Sequence, residues 1–319
     1  MRQLVARLGQ SLIVVFIVTT ISFFVIRAAP GDAFSYESTK LSGEARDRLR
    51  REWGYDRPLP EQFVRYLGKV ARGDMGFSLS RGTSVTRALA DAIPNTLLLV
   101  GVALTLSVAL GTIVGVAQAT KRGGWFDRVS SPVFLVFYSL PDFWGALMML
   151  LVFGYWLHIL PQGYMGDPTM HDYWPFWRRV GDTTLHLILP ALTMMLITIA
   201  AIARYQRTAM LEVLPADFIR TARAKGVPER EIIWRHALRN ALAPMITTLG
   251  LLFPVLLGGA LFVERVFSWP GVGALTASAI ESRDYDLVTA SVIIGSVMVV
   301  IGNLVADLLH AAIDPRVRE

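Results

Sequence analysis

The chain has 319 residues, of which 53% are hydrophobic and only 18% charged, and its mean hydropathy is +0.47. A soluble domain carries nearer a quarter charged residues, and here the apolar residues come in long uninterrupted blocks, so a soluble globular class is excluded. The net charge of +6 has no Lys/Arg tract interleaved with aromatics behind it; it fits basic cytoplasmic loops facing a lipid bilayer and sets nucleic acid aside as a partner. With no cysteine, disulfides, thiol catalysis and thiolate metal sites are ruled out.

Six stretches have the roughly 20 apolar residues that cross a bilayer. The first, Leu8–Ile26, is longer than a signal-peptide core; Ala28-Ala29 would suit cleavage, but the spans downstream favour an uncleaved helix. The second lies between Asp91 and Lys121, the third runs from Val129 to Trp156 around one acid, Asp142, and the fourth is Thr183–Ala203. The fifth is Ala241–Val263 and the sixth Leu287–Ala306. Gly111, Gly115, Pro141, Pro190, Pro254, Gly258 and Gly259 fall inside them, where small residues permit close helix packing and neighbours re-satisfy the backbone. Arg2, Arg7, Lys121, Arg122, Arg128, the cluster from Arg204 to Arg239, Arg316 and Arg318 then define the cytoplasmic side. Both termini are expected there.

The expected division is an N-terminal span at 1–28, an extracytoplasmic segment at 29–93, a five-helix core at 94–312 with a cytoplasmic loop at 204–244, and a tail at 313–319. The fold class is all-α integral membrane. In the outer segment Ser42 and Glu44 read as a helix start, and Pro60 opens a second helix with Phe63, Tyr66, Leu67 and Val70 at helical spacing, closed by Gly73-Asp74 and Gly76.

The loop from Arg204 to Pro244 reads as two short helices. Pro215 and Asp217 open the first, Gly226 closes it, and Pro228 with Glu229 and Glu231 opens the second. The first places Phe218 and Ala222 on one face with Ile219 beside them, and Arg220, Arg223 and Lys225 on the other. An apolar knob with a basic flank suits a groove on a partner; a solvated basic loop has the same composition.

This loop resembles the signature loop of the membrane subunits of bacterial ATP-binding-cassette importers, most closely the peptide-permease branch. Asp217 to Gly226 and Arg235 to Ala241 match that branch's run. It departs from the generic importer pattern at Arg220-Thr221-Ala222 and in the distance from Gly226 to Pro244, departures that belong to the peptide branch. Further fragments follow the branch in order: Pro30-Gly31-Asp32, Arg57-Pro58-Leu59-Pro60, Gly73-Asp74-Met75-Gly76, Ser139-Leu140-Pro141, His186 to Pro190, Phe267 to Gly273, Arg283-Asp284-Tyr285 and Asp314-Pro315-Arg316. The order is that of the first permease subunit of dipeptide or oligopeptide importers.

The resemblance implies a second homologous permease subunit, two cytoplasmic ATP-binding subunits and an extracytoplasmic solute-binding protein, in the cytoplasmic membrane of a bacterium or archaeon. It implies ATPase coupling through Asp217, Phe218, Arg220, Thr221, Ala222, Arg223, Lys225, Gly226, Arg235, His236, Arg239 and Asn240. ATP and Mg belong to the partners, in keeping with the absence here of a Gly-x-x-x-x-Gly-Lys-Ser/Thr loop. Relatives of this type also carry nickel complexes or oligosaccharides. An ion-driven transporter would call for repeats and paired broken helices, and a membrane enzyme for a catalytic cluster; neither pattern stands out.

Asp142 supports two readings. It faces the pathway and attracts a cationic group, or Pro141 breaks the helix and Asp142 caps the next segment. The five histidines are scattered without metal-ligand spacing. Tyr173, Trp174 and Trp177 read as interfacial anchors.

Overall fold

A computed structural model describes residues 2–28, 44, 48, 51 and 54–313. For 2–8, 243–244, 246–256, 259 and 306–313 only the helical backbone is described. The Pro30-Gly31-Asp32 and Asp314-Pro315-Arg316 motifs, and Ser42 of the expected helix start, lie outside the described residues.

In chain order the elements are α1 Arg2–Ala28, α2 Leu59–Val70, the strands β1 Phe77–Ser78 and β2 Thr83–Ser84, α3 Val85–Thr120, α4 Trp125–Ser139 and α5 Asp142–Met149. α5 runs on as a π-helical segment, Leu150–Trp156. Next come α6 Phe176–Val213, α7 Asp217–Ala224, the single turn α8 Glu229–Glu231, a π-helical segment Ile232–Ala237, α9 Leu238–Val266, α10 Val272–Glu281 and α11 Tyr285–Ile313. The chain divides into two compact units, one of residues 1–96 with 270–300 and one of 97–269 with 301–319.

Among the described residues four helices are long and apolar enough to cross a membrane, or five if the bent pair α4–α5 is one span. The predicted fifth span, 241–263, lies in α9, and most of the side chains of that span are outside the described residues. The predicted third span is not one straight helix. It is two helices bent by 107° at Leu140-Pro141, where the proline lacks an amide donor and pushes the preceding residue out of helical geometry. Leu140 accordingly has ψ 138°. The predicted fourth span also runs further. No breaker intervenes between Ala203 and Pro215, so α6 continues to Val213 and is about 57 Å long at 1.5 Å per residue.

The all-α class holds, with one small antiparallel hairpin beside the helices, Phe77 opposite Ser84 and Ser78 opposite Thr83. The hairpin is anchored on Asp284. The Ser78 and Ser80 hydroxyls and the Ser80 amide donate to its Oδ2 at 2.7, 2.8 and 3.1 Å. In that unit Val85, Ala88, Leu89 and Ala92, one face of α3, pack with Val272, Leu275 and Ala279 of α10 and with Leu287, Val288 and Ala290 of α11. A second cluster joins Phe23 of α1, Tyr66 of α2 and Ile293 of α11, with Phe63 and Val70 against it; thus the predicted helical spacing of α2 faces α1.

The other unit has two cores. Leu99, Val100 and Ala103 of α3 pack with Ala146 of α5, Leu187, Leu189 and Met194 of α6, and Val263, Phe267 and Trp269. Val116 and Ala119 pack with Ala209 and Met210 of α6, Ile219 and Ala222 of α7, and Ile232, Ala237 and Ala241. Between these cores α3 and α6 approach very closely: a Cβ added at Gly115 would stand 2.6 Å from the Ala203 carbonyl oxygen and 2.7 Å from Gln206 Cβ. Only glycine permits that contact.

Candidate coupling and pathway sites

The segment after α6 turns at Leu214 to Ala216 and restarts as α7. Ala216 is extended (φ −65°, ψ 150°), and its carbonyl accepts the Ile219 and Arg220 amides at 3.0 and 3.2 Å. Asp217 stands in the first turn, where its charge meets the positive end of the helix. At the other end the Lys225 and Gly226 amides donate to Thr221 and Arg223 carbonyls, and Val227 donates to Ala222 at 3.2 Å. Gly226 takes φ +78°, the left-handed value that glycine adopts at least cost.

Ile219 and Ala222 form the buried face of α7, at 0% and 8% exposure. This corrects the expected pairing of Phe218 with Ala222. The buried pair is spaced i, i+3, and Phe218 points outward, 46% exposed, beside the exposed Asp217, Arg220, Thr221 and Lys225. Apolar anchoring on one face therefore presents an aromatic ring and two cations on the other.

The expected second short helix is also corrected. From Pro228 the chain is helical through α8 and the π-helical segment into α9 without a break, because neither Gly nor Pro occurs between Pro228 and Pro244. Arg223 closes the gap between α7 and this helix. Its Nε and Nη2 donate to Glu229 Oε2 and Oε1 at 3.1 and 2.7 Å. This bidentate contact holds the Glu229 carboxyl below the usual glutamate range and pushes the Arg223 guanidinium up. Arg235 pairs with Glu231 at 2.8 Å, and the Asn240 amide donates to the His236 carbonyl at 2.7 Å. Arg235, Arg239 and Asn240 are exposed and His236 half-buried. Sequence reasoning missed Trp234, which with Pro228, Arg230, Glu231 and Arg235 lines an open groove of about 590 Å³. A Trp one position from a basic pair on a helix was the available signal.

Asp127 and Arg207 were missed as well. The Arg207 Nε and Nη2 donate to Asp127 Oδ1 and Oδ2 at 2.9 and 3.0 Å. The Gly123 amide and Ser131 hydroxyl donate to the same carboxylate at 2.9 and 3.2 Å. The pair ties α4 to α6 with every carboxylate oxygen satisfied, as a buried ion needs. Their separation of 80 residues left no local trace in the sequence.

Asp142 begins α5 immediately after the Pro141 bend, so it stands at the head of the second helix. It is half-buried, and among the described residues no hydrogen bond or ion pair engages its side chain. His186 is engaged locally, its Nδ1 lying 2.9 Å from the Asp182 carbonyl and 3.2 Å from Asp182 Oδ1. Tyr173 and Trp177 are strongly exposed, and Arg178 stacks on Trp174 with 4.2 Å to the ring centroid. Among the described residues no group of three or more His, Asp or Glu side chains is placed to hold a metal.

Long apolar helices, a proline-bent pair and a short amphipathic helix seated between two of the long ones define a multi-pass membrane transport protein. Residues 107–319 match the family described as binding-protein-dependent transport system inner membrane component. Residues 1–100 match the N-terminal family of the same membrane components. The chain is 37% identical over 302 residues to the oligopeptide transport system permease protein AppB of Bacillus subtilis, covering 94% of each chain. It is 36% identical over 318 residues to the dipeptide transport system permease protein DppB of Escherichia coli K12, again covering 94% of each. It is 36% identical over 304 residues to the glutathione transport system permease protein GsiC of Pectobacterium atrosepticum, covering 95% and 94%. The chain belongs to the inner-membrane permease components of binding-protein-dependent transport systems.

Proposed function

We propose that this chain spans the cytoplasmic membrane six times with both termini inside and forms half of a pathway for di- or oligopeptides. A second homologous permease would supply the other half, an extracytoplasmic solute-binding protein would deliver substrate, and two cytoplasmic subunits would bind ATP and Mg. The relatives' names, oligopeptide, dipeptide and glutathione permeases, support the substrate class. The observation that carries the coupling role is the two-sided build of α7: Ile219 and Ala222 fix it to this chain while Phe218 is left outward. A buried anchor makes the helix rigid enough to transmit a push, and an outward aromatic among cations fits a hydrophobic pocket with acidic rim on an ATPase. Asp142, at the bend, serves as the pathway group for the cationic end of a peptide.

The test is co-purification of partner subunits from native membranes with wild type and Phe218→Ala. The ring is exposed, so the variant should fold and insert as wild type while its ATPase recovery drops, in line with about 2 kcal/mol or more for an aromatic anchor. Unchanged recovery would sink the docking assignment. Transport in liposomes by this chain alone without ATP would replace the importer with an ion-driven carrier.

A further inference from the structure

We propose that Arg204 receives the C-terminal carboxylate of a peptide, in a cavity of about 650 Å³ lined by α3, α4 and α6. The inference rests on the reading of this chain as half of a peptide pathway and gives Asp142 a counterpart: an unengaged acid for the ammonium end, an unengaged cation for the carboxylate end.

Arg204 follows directly on the expected span 183–203, within the continuous helix α6. Its side chain is exposed and lines the cavity, and among the described residues no hydrogen bond or ion pair engages it. Arg207, on the same wall, is taken up by Asp127. Among the described residues no Asp or Glu lines the cavity. An arginine keeps its charge and carries five donors in a fixed fork. A free one in a cavity without acids calls for an anion, and its fork matches the two oxygens of a carboxylate. Tyr138 and Tyr205 line the same cavity, 57% and 52% exposed. No hydrogen bond engages either hydroxyl among the described residues, so both stand ready to donate.

The remaining walls suit side chains of varied size. Phe134 and Leu135 come from α4, while Ala200, Ala201 and Ala203 of α6 leave width that larger residues would close. The distribution of polar groups favours a peptide over a phospholipid. A headgroup site has one charged end and an apolar slot behind it, whereas here Tyr138, three residues before Pro141, carries the polar lining on towards the bend. Beyond the bend Gly145, one turn past Asp142, packs on α6 at Ile197, whose Cδ1 would lie 3.7 Å from an added Cβ. From Ile197 to Arg204 is about 10 Å along the helix, an interval that about three extended residues cover. The two unengaged charges are thus set apart by the length of a short peptide.

The test compares a free acid with its amide. In the importer reconstituted with its partners, uptake of trialanine and of trialanine amide would be measured for wild type, Arg204→Gln and Arg204→Lys. All three meet the same delivery protein, so its own preference cancels in each ratio of variant to wild type. The proposal expects Arg204→Gln to lower trialanine uptake about tenfold, the loss of one charge-assisted contact, with the amide ratio near unity and Arg204→Lys in between. Thermal unfolding of the purified full-length chain in detergent needs no partner and decides the matter where the delivery protein refuses the amide. N-acetylalanine should raise the Tm, N-acetylalanine amide should not, and the rise should vanish in Arg204→Gln. An equal fall in uptake of acid and amide would make Arg204 a structural charge, and no fall in either would remove it from the pathway; each overturns the proposal. An equal rise in Tm with inorganic phosphate or phosphatidylglycerol would overturn it too, in favour of a general anion or lipid site. A wild-type importer that takes up no peptide would sink the pathway reading instead, and the thermal comparison would still decide the carboxylate site.

Discussion

Alanine at Gly115 tests whether α3 and α6 are locked by backbone contact. The added methyl would meet the Ala203 carbonyl oxygen at 2.6 Å, Gln206 Cβ at 2.7 Å and the Arg207 nitrogen at 3.0 Å. All three belong to the main chain of α6 or sit directly on it, so none can swing away. Ordinary contact begins near 3.4 Å, so the helices must part by about 0.8 Å. Such overpacking typically costs about 1–3 kcal/mol. Alanine also gains about 1 kcal/mol over glycine within a helix, which would blur the reading. Gly101→Ala removes that term, because it lies in the same helix with nothing within 4 Å of its added Cβ. The difference between the two variants therefore isolates the packing cost. Tryptophan fluorescence during heating in detergent should place Gly115→Ala below Gly101→Ala by about 2–4 °C per kcal/mol. Since Val116 and Ala119 of α3 help to cover Ile219 and Ala222, Gly115→Ala should also weaken ATPase recovery, and Gly101→Ala should not. Equal melting temperatures for the two variants would refute the locked-helix reasoning.

Arg207→Ala strands the buried Asp127 carboxylate; breaking a fully buried pair costs about 3–5 kcal/mol, and with Arg207 itself 30% exposed about 1–3 kcal/mol is expected. The double variant Asp127→Ala/Arg207→Ala should melt higher than Arg207→Ala alone, and a lower value would argue against a stranded charge. Glu229 has a depressed folded-state pKa, so its pairing with Arg223 adds stability above the unfolded glutamate pKa, and this is lost as pH falls through the folded value. Because Glu229 is 56% exposed, the gain is under about 1 kcal/mol; the Tm gap between wild type and Glu229→Gln should be present at neutral pH and close in acid, and a gap that persists in acid would contradict the assignment. Asp142→Asn should depress uptake of cationic dipeptides more than of neutral ones in the reconstituted importer, and equal depression of both would remove Asp142 from the pathway.

The sequence made the membrane class plain because a charge-free stretch of about 20 residues has few other uses. It was equally direct at Gly226, whose place before Pro228 predicts the left-handed turn now seen at φ +78°. What it did not carry were relations set by tertiary contact. The Asp127–Arg207 pair spans 80 residues, and strands of two residues are too short for an alternating pattern. In α7, eight residues long, Phe218 and Ile219 are adjacent, so periodicity alone does not choose which of them turns inward. The pocket between Val116, Met210 and Ile232 takes Ile219. The continuous helix after Pro228 was legible and overlooked: the basic residues suggested a loop, although no breaker was present before Pro244.

These contacts give α6 a particular mechanical place. Near one end Ala209 and Met210 share a core with Ile219 and Ala222 of α7. Towards the other, Leu187, Leu189 and Met194 share a core with Ala146, one turn beyond Asp142 on α5. α6 has a 67% buried apolar window, which packs it as a rod between these cores, and its one proline, Pro190, removes a backbone hydrogen bond. The π-helical segments at Leu150–Trp156 and Ile232–Ala237 follow α5 and α8, and such irregular turns mark places where a helix can change register. Under the proposed coupling role, a push on α7 would reach the bent pair through α6, the helix whose two ends share cores with both. The separation expected between variants follows from this arrangement. Asp142→Asn lies beyond the rod and should alter substrate preference with ATPase recovery intact. Gly115→Ala displaces the rod itself and should lower recovery and uptake together, for cationic and neutral peptides alike.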